Sequence, residues 1–160
     1  MKFSTVQLVA AVVVVMSVCL LRESVAHSIH RPLSLVAQHA QSSDIDTDTK
    51  LMPDIDTKKN HRDICCLHAN ILDFYLSNIL TTKEKQDKHH PKLPALKEDL
   101  ARVSRDLKEH GCAIKHYNDH HHSIAFRKKL SEMEEGKGIK KAIGEIDILF
   151  TFLKDFCVHA

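Results

Sequence analysis

Residues 136–157 read GKGIKKAIGEIDILFTFLKDFC. Ile139, Ala142, Ile143, Ile146, Leu149, Phe150, Leu153 and Phe156 recur in steps of mainly three and four, which places one continuous apolar stripe along a single α-helix. Lys140, Lys141, Glu145, Asp147 and Lys154 fall outside the stripe and read as a water-facing side. A helix of this kind needs partners to cover its stripe, so it belongs to a bundle and not to a membrane span. Cys157 ends the stripe, where a disulfide can tie the helix to the rest of the fold.

At the other end of the chain, Lys2 precedes an apolar run from Val6 to Leu21 and the small residues Ser24-Val25-Ala26. This is the pattern of a secretory signal peptide cleaved after Ala26. The run falls short of the roughly 20 residues a membrane span requires. Cleavage leaves 134 residues, enough for one domain, with 21 basic and 20 acidic side chains. That balance argues against a nucleic-acid partner, which calls for a basic excess on one face. Thirteen histidines add positive charge below about pH 6.5.

The mature chain keeps Cys65, Cys66, Cys112 and Cys157. An even count in a secreted chain implies two disulfides. The neighbours Cys65 and Cys66 are poorly placed to bond to each other, which leaves two pairings open.

Between these landmarks the pattern is poor to about Asn60 and helical beyond it. A short helix is expected near 32–41, followed by a polar loop that contains Pro53 and repeats Asp-Ile-Asp-Thr at 44–47 and 54–57. Asp63 is the expected N-cap of a helix over 64–80, whose stripe of Ile64, Leu67, Ile71, Phe74, Tyr75 and Ile79 is wide enough for a central position. A third helix starts at 92–94, with proline in its first turn, and stops at Gly111. Asn118 or Asp119 caps a fourth to about Glu134, thinly apolar and therefore peripheral, with Gly136 and Gly138 separating it from the last helix. With no alternating strand pattern and only four glycines, the class is all-α. The domain plan is a signal peptide over 1–26, a short first helix and acidic loop over 27–62, and a helical core over 63–160.

Hydrolase, phosphate-loop and zinc-protease signatures are missing, so no enzyme and no cofactor are expected. His116, His120, His121 and His122 with Asp119 form a dense patch. His116 and His120 would share a face if they lay on one helix, a spacing suited to a metal, but no third ligand is placed and solvated surface is the simpler reading. Lys141 and Glu145, four apart, read as an exposed helix pair.

The run Lys141-Ala142-Ile143-Gly144-Glu145-Ile146-Asp147-Ile148-Leu149-Phe150 with Cys157 resembles the final helix of the interleukin-22 group in the interleukin-10 cytokine family. Ile64-Cys65-Cys66-Leu67 is similar to the start of that group's central helix, and residues 36–51 resemble the end of its first helix and the following loop. The resemblance implies a compact class II helical cytokine bundle, here with a shortened first helix. It also implies a secreted cytokine that binds a receptor pair, one chain of the interleukin-22 receptor type and one of the interleukin-10 receptor beta type, and signals through JAK and STAT proteins in barrier tissue. Carried over by position, the receptor-binding residues are Thr47, Asp48 and Lys50 in the loop and Lys141, Gly144 and Glu145 on the final helix, with Gly144 admitting the receptor close to the helix backbone. The resemblance pairs Cys65 with Cys157 and leaves Cys66 for Cys112. The doubled cysteine is also similar to the interleukin-20 subgroup. No N-x-S/T sequon is present. The alternatives are a carrier that binds metal through the histidine patch, and a receptor-binding relative that does not signal.

Overall fold

The computed structural model describes residues 32–43, 48–81 and 91–157, with side chains in the first helix described over 37–42. The signal segment and Thr47 lie outside the described residues. Six α-helices and no strand occur among them: α1 (Pro32–Ser43), α2 (His61–Phe74), α3 (Leu93–Glu109), α4 (His121–Glu132), α5 (Glu135–Gly144) and α6 (Ile146–Cys157). A π-helical turn, Tyr75–Ile79, extends α2, and a 3₁₀ turn, Ile114–Tyr117, precedes α4.

α2 is the centre, as its wide stripe requires. Every residue from Ile64 to Leu72 is buried, and the helix packs on α6, α3, α4 and the 3₁₀ turn. Its N-cap is Asn60, whose side chain accepts from Arg62 N, one turn ahead of the expected Asp63. Asp63 is engaged elsewhere, accepting a 2.8 Å hydrogen bond from the Tyr117 hydroxyl. The π turn closes with the Leu80 N–H on the Tyr75 carbonyl.

α3 begins with Pro94 in its first turn. It ends ahead of Gly111, whose φ of +93° is open to glycine at little cost. A side chain there would also strike the Arg62 guanidinium, which donates to the Gly111 carbonyl at 3.1 Å.

Two features of the C-terminal third differ from the sequence reading. The single helix expected over 136–157 is broken at Glu145, which has φ −95° and ψ 4°. Because one residue departs from helical geometry, the apolar stripe runs on across the break, and Ala142, Ile143, Ile146, Leu149, Phe150 and Leu153 all enter one core. Secondly, Gly136 and Gly138 do not separate α4 from α5. The chain extends at Met133 and Glu134, and both glycines fall inside α5. The cap of α4 is His120, not Asn118 or Asp119.

α4 is peripheral. It contributes Phe126, stacked on Tyr75 at 5.6 Å between ring centroids, while Ile124 stands 46 % exposed. Cys65 is bonded to Cys157, joining the start of α2 to the end of α6, and Cys66 is bonded to Cys112, joining α2 to the segment after α3. No helix among the described residues is long and apolar enough to cross a membrane.

Candidate functional site

The loop after α1 and the α5–α6 junction meet in one polar latch. Leaving helical geometry at residue 145 turns the Glu145 carboxylate inward, under Leu51 and Met52, whose side chains are buried. Both carboxylate oxygens accept from Leu51 N at 3.0 Å, and Oε2 also accepts from Met52 N at 2.8 Å. A loop with buried side chains has to find acceptors for its N–H groups, and one anion serves two of them. Burial pushes the Glu145 carboxyl above its ordinary value; the Met52 and Leu51 N–H groups, and then the Lys141 and Lys50 charges, pull the other way.

The carbonyls at the end of α5 are answered by side chains from two other elements. Tyr75 Oη donates to the Ala142 carbonyl at 2.8 Å, and Gln41 Nε2 of α1 donates to the Gly144 carbonyl at 2.9 Å. The Ala142 carbonyl also accepts the Glu145 N–H at 3.2 Å, so the phenol is a second donor to it at the helix end. The Tyr75 phenol, fully buried, is pushed well above its usual value by burial and then by the Glu145 and Asp147 charges.

Gly144 is a site of close approach, and the approaching chain is α1 of the same molecule. A Cβ on Gly144 would stand 3.3 Å from Gln41 Cγ and 3.6 Å from Gln41 N. Lys141 and Glu145 are 7 % and 8 % exposed, so they do not form the solvated helix pair that their spacing implied. A position read as outside the apolar stripe is covered once a loop lies across it.

Asp48 and Lys50 are at the surface. Lys50 Nζ sits 2.6 Å from Asp54 Oδ1, and this contact holds the Asp54 carboxyl below its ordinary value, first by its hydrogen bond and then by its charge. The Lys50 carbonyl accepts from Lys129 Nζ of α4 at 3.1 Å. Of the six residues inferred from resemblance, two are displayed, three are buried at the end of α5 and the α5–α6 junction, and Thr47 is outside the described residues. Gln41, Met52, Tyr75 and Lys129 escaped the sequence reading. The Tyr75 hydroxyl on an apolar stripe was the one available signal, since a buried phenol has to find an acceptor.

The histidine patch assembles differently from the metal reading. His116 lies in the 3₁₀ turn and His120 caps α4, so the two do not share one helix face. His120 stacks on His121 at 4.5 Å and on His122 at 5.4 Å, with interplanar angles of 23° and 26°. Imidazole lone pairs lie in the ring plane, so stacked rings do not aim them at a common point. Among the described residues, the one group of three or more His, Cys, Asp or Glu donors close enough to share an ion is Cys65, Cys66 and Cys112, and all three cysteines are in disulfides.

An all-α core with a central buried helix, two disulfides at one end and a loop pinned to the last pair of helices defines a helical cytokine bundle. The family model of interleukin 22, described as an IL-10-related T-cell-derived inducible factor, matches residues 19–157, and the chain belongs to that family. It is therefore a cytokine and not an enzyme, and class II cytokine receptors are the partners that membership implies in general. The fold is similar to the crystal structure of zebrafish interleukin-22, with a TM-score of 0.64 and 26 % identity over 79 % of this chain and 88 % of that one. No curated protein matches the sequence significantly.

Proposed function

We propose that the chain is secreted after removal of residues 1–26 and binds a class II cytokine receptor pair through the 47–54 loop and the adjoining side of α5. The pair combines a chain of the interleukin-22 receptor type with one of the interleukin-10 receptor beta type, and its engagement triggers JAK and STAT signalling in barrier tissue. The observation that carries this reading is the Glu145 latch. It fixes Leu51 and Met52, and so sets where Asp48 and Lys50 stand relative to α5.

Within this reading, Thr47, Asp48 and Lys50 touch the receptor. Lys141, Gly144 and Glu145 act through the loop and α1 that they support. Preorganising a binding loop lowers the ordering cost of association, so loss of the latch weakens binding without removing a contact.

The test is surface plasmon resonance of residues 27–160 on receptor ectodomains, with STAT phosphorylation read in epithelial cells. Asp48→Ala and Lys50→Ala are expected to lower affinity about tenfold or more at unchanged melting temperature, the loss typical of a contact worth over 1 kcal/mol. Glu145→Ala is expected to lower affinity and melting temperature together. A correctly folded, disulfide-bonded parent that binds no class II receptor chain would overturn the proposal.

A further inference from the structure

The histidine corner has a second property, independent of metal. The Nδ1 of His120 accepts the His122 backbone N–H at 3.3 Å and so caps α4. An accepting Nδ1 is an unprotonated one, so His120 caps the helix only while its ring is neutral. His120, His121 and His122 lie with ring centroids 4.1 to 5.4 Å apart at the positive end of the helix. Neutral rings stack there without penalty. Protonated rings repel one another and the helix dipole, and the protonated Nδ1 no longer accepts.

The surroundings do little to hold the added charge. His120 and His122 border a cleft of about 490 Å³ whose other ionisable lining residues are Lys59, Asp63, His116, Tyr117 and Asp119. Lys59 is a cation; the two carboxylates there are Asp119 and Asp63, the latter also accepting from the Tyr117 hydroxyl. Burial, then the neighbouring rings and Lys59, lower the affinity of His120 and His122 for protons, with the Asp63 charge opposing at His120. Below them in α2, His68 is fully buried and stacked on Phe152 of α6 at 4.1 Å, with Nε2 unpartnered; Ser123, in the first turn of α4, is buried with its hydroxyl likewise unpartnered. This is a seam sealed by neutral rings, with few polar contacts to keep it shut.

We infer that α4 is an acid-released strut: protonation at the His120 and His122 rings removes its cap, frees its first turn from α2, and loosens the tie that α4 makes through Lys129 to the Lys50 carbonyl of the loop. The release itself stands on the geometry of the corner. Its effect on receptor affinity rests on the proposed use of that loop. The Cys66–Cys112 bond keeps the segment before the 3₁₀ turn attached, so the opening is local and reversible. A protein taken into acidic endocytic compartments crosses the relevant range, from neutral pH to below 6.

Hydrogen exchange of residues 27–160, corrected for the intrinsic pH dependence of exchange, tests it at pH 7.4 and 5.6. Protection in the first two turns of α4 is expected to fall at least tenfold relative to α2 and α6. The triple variant His120→Ser, His121→Gln, His122→Gln keeps a cap that does not titrate in this range and is expected to show equal α4 protection at both pH values. Unchanged α4 protection in the parent, or a pH dependence that survives in the triple variant, overturns the inference. On the receptor ectodomain, the ratio of affinities at the two pH values is expected to shrink in the triple variant; an equal ratio in parent and variant overturns the link through Lys129. Absence of binding at pH 7.4 bears on the receptor reading and leaves the exchange result to decide the strut.

Discussion

The two ends of this molecule are held by different chemistry. At one end α2, α6 and the segment after α3 are joined by two disulfides, Cys65–Cys157 and Cys66–Cys112. At the other, α1, the 48–54 loop and the α5–α6 junction have no disulfide between them; Glu145, Gln41 and Tyr75 tie them by hydrogen bonds, over a core that takes in Ala40, Leu51 and Met52. The covalent end tolerates a loosely sealed histidine corner beside it. The hydrogen-bonded end has no such margin: its polar groups are buried, and a missing partner leaves the other exposed to full desolvation cost.

The largest effect should come from the covalent end. Replacing Cys65 and Cys157 together by serine reopens a link spanning 92 residues and is expected to cost about 4.6 kcal/mol in urea unfolding, on the loop-entropy relation. A loss below about 1 kcal/mol would mean that helix packing, not the bond, holds that end.

Acid distinguishes the two ends by sign. Burial pushes His68 down to about 4 from an ordinary 6.5, with its bond to the Ile64 carbonyl opposing. The folded state therefore binds fewer protons than the unfolded one between those values, so His68's contribution is intact above pH 6.5 and is lost as pH falls toward 4, a swing on the order of 3 kcal/mol. Glu145 behaves oppositely. Its raised value lets the folded state hold a proton more tightly, so acidification through that range favours folding. His68→Phe, which preserves a ring against Phe152, should flatten the decline of stability with acid, measured as urea midpoints from pH 7 to 4.5. A decline of the same steepness would place its origin in other groups.

Glu145→Ala strands the Leu51 and Met52 N–H groups and should cost about 2–4 kcal/mol, with faster amide exchange at those two residues and little change in α2. Uniform destabilisation would show that the two ends unfold as one unit. Tyr75→Phe removes one buried hydrogen bond to the Ala142 carbonyl and should cost about 1 kcal/mol. Lys129→Ala, at an exposed site, should change stability by no more than about 0.5 kcal/mol.

The amino-acid pattern was most legible where a side chain acts locally or covalently. The wide stripe of α2 announced a central helix, the thin stripe of α4 a peripheral one, and Pro94 and Gly111 marked the ends of α3 within a residue or two. Boundaries that depend on a distant partner were not legible. Asp63 looks like a cap, yet its carboxylate serves Tyr117, which is 54 positions away. Glu145 and Lys141 look like a surface pair because the 3.6-residue period places them outside the apolar stripe, yet both are buried; the loop that covers Glu145 arrives from some 90 positions earlier.

By itself, then, the sequence determined an all-α bundle with a central second helix, four cysteines for two bonds, and membership of a cytokine family, because hydrophobic period, residue identity and motif are properties of neighbours along the chain. Only the tertiary structure decided that the final helix breaks at Glu145, that Gly144 makes room for α1, and that the histidines stack. Each of those outcomes depends on which group arrives from elsewhere to fill a hydrogen bond or a contact, and that is set by how the helices pack, not by the local pattern.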